Sequence, residues 1–568
     1  MSKKNLIEEE ARTAILAGMD LVADIVGATL GPRGKTVILS RPYGAALVTK
    51  DGVTVAERVS LNDPCANEGA KLIQEVARKT NTEAGDGTTA ATILCRAIFR
   101  EGVKVVAAGA NSMAIERGIQ RAVACVVERL AEISQPIDQQ NIDSIRAIAT
   151  IAANGDTEMG DVISRAVQRT GLEGVCMVDM SPTIETTLEI SEGLQFDRGF
   201  LSPHFMTDRA RGVTILENCN IFVTDRRLIA MDQAGEFITK YLSLYGNAPL
   251  LLIAEDVAEG ALQVLAVNNG KTLNIGGRAI QCTIVPVRAP GSGAAKKEEL
   301  EDIAILTGAR AYNIANGDDL TAIKQEDFGS ATRVIVSPHR TTIVGGFGAP
   351  IRIETRKDEI RSRIADPITK EFDKAQLERR LALLSASIAV IKIGSSVNSK
   401  LLEKRDRVED SVNATKAALK EGIVPGGGVA LIRCLPALND MLVTIDGEEQ
   451  VGARIVAQAL TRPLHRLASN AGVSGDVIVG EVVAMNSPET YIPAHFDDSI
   501  PAFLDHWGYN AASGNFEDMI AAGIIDPAKV VRLALQNSAE LAGLLLTSAA
   551  LVVDIPEPVS AVAAPPRG

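Results

Sequence analysis

The stretch Ala84–Thr92, AGDGTTAAT, sets one carboxylate between two glycines and follows it with two hydroxyls. Glycine at 85 and 87 lets the backbone turn through conformations closed to other residues, so successive N–H groups can converge on an anion. Asp86 is then placed to meet a hard cation, which draws oxygen ligands from one or two carboxylates and from phosphates; Thr88 and Thr89 stand beside it. Apolar Ile93, Leu94, Ala97, Ile98 and Val105 recur at helical spacing downstream, and the N-terminus of such a helix adds positive partial charge where a phosphate would lie. The same residues also fit a plain helix cap after a glycine turn.

Other stretches could join this chemistry. TLGPRGKT (29–36) ends like a Walker A loop, but Thr29 stands where that motif needs glycine and no strand precedes it, so a P-loop is rejected in favour of a tight turn presenting backbone groups from Thr29 to Pro32. Lys50-Asp51-Gly52 reads as a hairpin turn between strand-like ALVT and VTVA; alternatively, Asp51 joins Asp86 as a second carboxylate around a metal-nucleotide and an attacking water. Asp410, midway along a charged helix, is either a solvated surface charge or aimed into a site. Gly426–Gly428 allow close backbone approach to a ligand, Asn510 offers a polar turn, and Asp526 sits in strand-like IIDP before a helix.

The elements that must hold these residues are helical at both ends of the chain. At 568 residues two to four domains are expected. Hydrophobic residues make up 46% but aromatics only 3%, so the cores must be aliphatic and the helices closely packed. Net charge is −13 and no basic stripe interleaves with aromatics, which argues against nucleic acid. Without a signal-peptide core or an apolar run of membrane-spanning length, a cytoplasmic protein with no membrane partner is expected. Seven cysteines are scattered singly and the five histidines do not cluster with them, which points to reduced thiols and no structural zinc. An amphipathic helix is expected over 6–30, further helices over 64–80 and 112–133, alternating strands and short helices from 193 to about 388, and helices again to about 553. The α/β block is thus nested between two small connecting pieces inside a helical domain built from both termini.

In this order, TLGPRGKTV, TKDGVTVA, AGDGTTAAT, GLQFDRGFLSPHF, PLLLIAEDV, RAPGSG, EDIAILTGA, IAVIKIG, EGIVPGGGVALI, GYNAA and GIIDPAKV closely resemble the GroEL-type group I chaperonins, over nearly the whole chain. The resemblance implies a multi-domain α plus α/β fold: an equatorial domain from 1–133 and 422–568, an intermediate domain from 134–192 and 389–421, and an apical domain over 193–388. It implies an ATPase with Mg²⁺ and K⁺. Thr29, Leu30, Gly31, Pro32, Lys50, Asp86, Gly87, Thr88, Thr89 and Ala90 would surround the phosphates, with Asp86 on Mg²⁺ and Thr29, Lys50 and Thr89 near K⁺. Gly427, Asn510, Ala511, Ala512, Ile524 and Asp526 would hold the nucleoside. Asp410 would polarise the attacking water, with Asp51 close to the terminal phosphate. Phe200, His204, Phe205, Phe237, Leu262, Leu265, Ala266 and Val267 match a surface that binds non-native polypeptides and a GroES-type co-chaperonin. Self-assembly into a seven-membered ring, itself doubled, completes the expectation.

The departures are specific. Ala90 replaces a usual threonine, Ala386-Ser387 a usual glycine pair at a hinge, and His204 a usual aromatic; Lys240 falls within the client-facing helix. His465 and Ser474 stand where an Arg and a Glu meet across two rings in familiar members. A longer loop over 487–507 carries Tyr491, His495, Phe496, Phe503 and Trp507, and the tail lacks the usual Gly-Gly-Met repeat. These leave open a second reading, a specialised paralogue that acts as an oligomeric binding scaffold with little ATP cycling.

Overall fold

The computed structural model describes the chain except residues 1, 41–45, 139–140, 154, 172–173, 182–184, 209–211, 292–293, 314–319, 367–370, 395–397, 487–504 and 556–568. Tyr491, His495, Phe496, Phe503 and the tail therefore lie outside the described residues. Contacts divide the chain into two compact units, one from Met1–Arg165 with Ser395–Gly568, the other Ala166–Gly394.

The first unit is helical. Helices Glu8–Gly27, Pro64–Ala84, Thr88–Ala107 and Ser112–Ile133 from the front of the chain pack with Gly447–Leu460 and Ala528–Thr547 from the back. Their buried faces carry Met19, Val22, Ile73, Leu94, Ile98, Phe99, Ile119, Val456 and Leu535. With few aromatics to fill space, the helices meet backbone to backbone. A Cβ at Gly18 would lie 1.8 Å from the Ala66 carbonyl oxygen and one at Gly69 2.1 Å from that of Ile15; Gly118 and Gly452 pair in the same way across Glu449 and Ile115. Even one added methyl group must push these helices apart.

Three local expectations give way here. The strand Ser2–Ile7, paired antiparallel with Ala550–Ile555, takes Leu6 and Ile7 from the helix expected over 6–30, and the final helix ends at Thr547 rather than near 553. Each of these six-residue segments becomes a strand because the other is there to supply its hydrogen bonds. VTVA is not a strand either. Val37–Leu39 pairs with Leu47–Thr49, and Gly52–Arg58 is a helix capped by Asp51, whose carboxylate accepts the N–H of Thr54 at 2.8 Å and of Val53 at 3.4 Å. The cap satisfies donors that a β-branched segment would otherwise have carried into a ladder.

The second unit is built on one mixed sheet. From one edge its strands run Ile284–Arg288, Leu250–Ala254, Thr214–Thr224, Gly329–Val336, Thr341–Gly346, Thr187–Phe196, Ser387–Ile393 and Val175–Met180, with Ala311–Tyr312 added on Thr214–Thr224. The strand Ser387–Ile393 pairs on both sides, so the sheet runs through residue 388 without a break. Helices Met231–Tyr245 and Glu259–Asn268 pack on this unit's core. Phe222 lies within 5.5 Å, centroid to centroid, of Phe237, Tyr312 and Phe328. Much of the chain's small aromatic stock is therefore spent here. Along the sequence, the α/β unit is inserted between the two halves of the helical unit.

Candidate functional site

The loop that joins helices Pro64–Ala84 and Thr88–Ala107 is three residues long. Gly85 (φ +76°) and Gly87 (φ +81°) both take left-handed conformations that a side chain would strain. Between them Asp86 accepts the Gly87 N–H on Oδ1 at 2.5 Å. The loop is pinned from two sides: a Cβ at Gly85 would lie 2.4 Å from the Asn413 Cβ, and one at Gly87 2.6 Å from Val530 Cγ1. Asn413 stands one turn beyond Asp410 on helix Asn398–Glu421, which brings Asp410 to the same loop. From a third side comes the Lys50–Gly52 turn. A Cβ at Gly52 would lie 2.3 Å from Thr89 Oγ1 and 3.0 Å from Thr88 Oγ1, so glycine there lets Asp51 approach the two threonines.

Asp526 arrives through a short ribbon. Ile423–Pro425 pairs antiparallel with Ile525–Pro527, which places Gly426–Gly428 beside Asp526, and the Gly427 N–H bonds to its carboxylate. Four carboxylates from remote stretches thus share one field. Asp410 and Asp86 open to solvent and Asp526 is half-buried, yet protein walls each of them in, and this crowding is the main cause of their raised affinities for protons. Asp410 is pushed up to about 9, with Asp86 and Asp51 adding repulsion. Asp526 rises to about 7, with Asp86 adding to burial against the lowering bond from Gly427. Asp86 is raised by the crowding of the surrounding protein and by Asp51, against the bond from Gly87. Accumulated negative charge of this kind is what a cation would relieve. Among the described residues no three acidic, histidine or cysteine side chains group closely enough to hold a metal alone, so a cation here would complete its shell from phosphate or water.

The remaining expected residues surround this centre unevenly. Thr29 is buried, and its hydroxyl donates to the Val26 carbonyl at 2.8 Å. The Leu30 carbonyl already accepts a bond from Asn470 Nδ2 at 3.0 Å. Gly31 (φ +82°) packs on Leu467, Lys50 is exposed, and Ala90 is half-buried. Arg33 donates to the Ala512 carbonyl at 3.0 Å, tying the 29–36 turn to the turn after Asn510. Asn510 Oδ1 accepts the Ala512 N–H at 2.8 Å, Ala511 is buried, and the Ile524 carbonyl accepts the Gly426 N–H at 2.9 Å. Sequence reasoning misses Asn413, Arg33 and Asn470 as residues that shape the site. Only Asn413 carries a signal, its one-turn offset from Asp410. A separate pocket of about 620 Å³, lined by Asn439, Leu442, Val443, Gln450, Arg454, Ala457 and Gln458, holds no carboxylate and lies apart from this chemistry.

The expected polypeptide-binding surface in the second unit needs correction. Phe205, Phe237 and Leu265 are fully enclosed in the core and Phe200 is buried with them, because the sheet's aliphatic face needs large side chains to cover it. Leu262 and Ala266 are half-buried, while His204 and Val267 are exposed. Large apolar side chains that do face solvent include Ile229, Met231 and Val267, at 64%, 56% and 59% exposure. Met231 reaches across to Gly260, where a Cβ would meet its Cγ at 3.3 Å. In the first unit His465 turns to Asp476 of its own chain, Nε2 to Oδ1 3.5 Å, and Trp507 lies in the strand Trp507–Asn510.

Comparison with known proteins agrees with the fold. The chaperonin gp146 of bacteriophage EL, 24% identical, aligns over 97% of this chain and 99% of its own with a TM-score of 0.66; its crystals were grown in the presence of ATP-BeFx. Among the described residues no helix is long and apolar enough to cross a membrane. The profile of the TCP-1/cpn60 chaperonin family matches residues 22–556, and the chain therefore belongs to that chaperonin family.

Proposed function

We propose that this chaperonin hydrolyses ATP at the Asp51–Asp86–Asp410–Asp526 site and uses the cycle to bind and release non-native polypeptides. The observation that carries the reading is the convergence of four carboxylates on a left-handed glycine loop at a helix N-terminus. Gly87, Thr88, Thr89 and Ala90 would turn backbone N–H groups to the phosphates, where the helix dipole favours negative charge. Asp86 would hold Mg²⁺, and Thr29, Lys50 and Thr89 would lie near K⁺; these cations supply charge neutralisation at the phosphates. Asp410, on a separate helix, would orient and deprotonate the attacking water, with Asp51 on the other side of the terminal phosphate. Asp526 would accept the ribose hydroxyls, while Gly427, Ile524 and Asn510–Ala512 form the walls for the nucleoside. The family relationship and the crystallisation of gp146 with ATP-BeFx support nucleotide use.

Self-assembly into a seven-membered, doubled ring is part of the same reading. The two-stranded ribbons of the first unit leave Ile7, Ile38, Val48 and Val552 facing solvent, at 65%, 71%, 58% and 57% exposure. Isolated ribbons with open edges are marginal in water, and a neighbouring copy would cover them. The second-unit surface bearing Ile229, Met231 and Val267 would hold apolar segments of clients and a GroES-type co-chaperonin. The three-domain division, with hinges near 193 and 387, belongs to this proposal too.

The test is Mg²⁺-ATP turnover with K⁺ present, comparing the assembled protein with its Asp410→Ala variant, together with suppression of aggregation of a denatured client. Collapse of turnover in the variant is expected. Client capture with no turnover in either protein would replace this reading by the scaffold.

A further inference from the structure

Arg433 is a buried cation with a bond pattern that the nucleotide chemistry does not use. It is 4% exposed, and its guanidinium donates to backbone carbonyls and to one amide oxygen. Nε donates to the Asp505 carbonyl at 3.1 Å and Nη2 to the Trp507 carbonyl at 2.6 Å. Nη1 donates to the Val482 carbonyl at 2.9 Å and to Asn486 Oδ1 at 2.5 Å, while Asn486 Nδ2 returns a bond to the Ile432 carbonyl at 3.1 Å. Burial draws the guanidinium down to about 10, which leaves it protonated at neutral pH.

The residue sits at a junction. It ends the helix Val429–Arg433, whose other end opens from Gly427 and Gly428. It grips the start of the strand Trp507–Asn510, whose other end is the Asn510 turn. The two elements also touch at a second point, since a Cβ at Gly508 would lie 2.3 Å from Val429 Cγ2. Helix and strand are thus locked by polar bonds at Arg433 and by direct contact at Gly508. Their free ends are the two walls assigned above to the nucleoside. The phosphate loop is held by other neighbours, Asn413 and Val530.

We propose that Arg433 is a positioning residue that sets the separation of the Gly427 and Asn510–Ala512 walls and so determines affinity for the nucleoside, leaving phosphate binding independent of it. The inference rests on the nucleotide reading of the site. Arginine suits the task because its planar fork delivers several donors in fixed directions, and one guanidinium here ties four backbone or amide oxygens together.

The experiment is calorimetric titration of the full-length assembled protein, Arg433→Lys and Arg433→Met with Mg²⁺-ATP and, separately, Mg²⁺-tripolyphosphate, with kcat and KM measured in parallel. Arg433→Met is expected to weaken ATP about 10- to 100-fold, with kcat at saturation and tripolyphosphate affinity each within about threefold of wild type. Arg433→Lys should recover part of the loss, and it carries the comparison if the methionine variant does not fold. Equal weakening of both ligands, or unchanged ATP affinity, overturns the proposal. A wild-type protein that binds tripolyphosphate but not ATP refutes the nucleoside reading itself, and this proposal with it.

Discussion

Replacing Asp410 with asparagine should lower turnover and raise stability together. In the ligand-free protein, crowding, then repulsion from Asp86 and Asp51, pushes this carboxyl up to about 9. Such a group is deprotonated in about 1% of molecules at pH 7. A general base works only when deprotonated, so kcat/KM of the wild type, which reports the free protein, should climb about tenfold per pH unit between about pH 6 and 8. A cation at Asp86 would remove part of the repulsion, and the kcat profile should therefore lie at lower pH. The amide of the Asp410→Asn variant can neither take the proton nor titrate: kcat should fall by about 10² to 10⁴ and the slope should vanish. The stability effect runs the other way. Above the ordinary value of 3.8 an unfolded chain releases this proton while the folded chain keeps it until about 9. Stability is thus lost as pH rises across that window, and the amide escapes the loss. Because the side chain opens to solvent, the gain is discounted to about 0.5–1 kcal/mol, or about 1–3 °C in Tm for a unit of this size. Phosphate release from pH 6 to 9 and scanning calorimetry measure both. Undiminished turnover would exclude Asp410 as the base, and a loss of turnover accompanied by a lower Tm would exclude its raised affinity for a proton.

Three further outcomes follow from the geometry. Gly87→Ala adds strain at φ +81° and a methyl group 2.6 Å from Val530 Cγ1, which together cost about 2–4 kcal/mol, so Mg²⁺-ATP binding should be lost in titration calorimetry; normal binding would mean that the loop does not hold phosphate. Ile38→Asp with Val48→Asp puts charge on an exposed ribbon and should shift sedimentation toward smaller species while circular dichroism stays unchanged; an unaltered oligomer would place the subunit contact elsewhere. Val267→Glu, at a position already 59% exposed, should leave Tm within about 1 °C and reduce capture of a denatured client in light scattering. Capture at the wild-type level would remove the Met231–Val267 surface from the proposal.

Much of the site is legible before any fold is known. Gly85-Asp86-Gly87 before a helical apolar pattern is a local signal, and the loop, its left-handed glycines and the helix after it all form within a few residues of one another. The same holds for the break at Gly427-Gly428, whereas the strand at Asp526 needs its distant partner Ile423–Pro425. The residues expected to face clients are less legible. Phe205, Phe237 and Leu265 lie on amphipathic stretches whose apolar side suits a core as well as a groove, and the sheet beneath them is what selects the core.

Order along the chain is enough to say where the backbone must bend and which stretches carry an apolar face, because both follow from near neighbours. It is also enough to require closely packed helices, since glycine and alanine with few aromatics leave no other way to fill the core. Contacts between distant segments are what make one ribbon of Ser2–Ile7 and Ala550–Ile555 and bring Asp410 to Asp86, while the Asp51 cap turns VTVA into helix rather than strand. Each of these depends on a partner far away in sequence or on a capping bond made when the turn closes. A backbone donor is satisfied by whatever the fold brings to it, and a carboxylate's affinity for its proton is set by whichever charges arrive beside it.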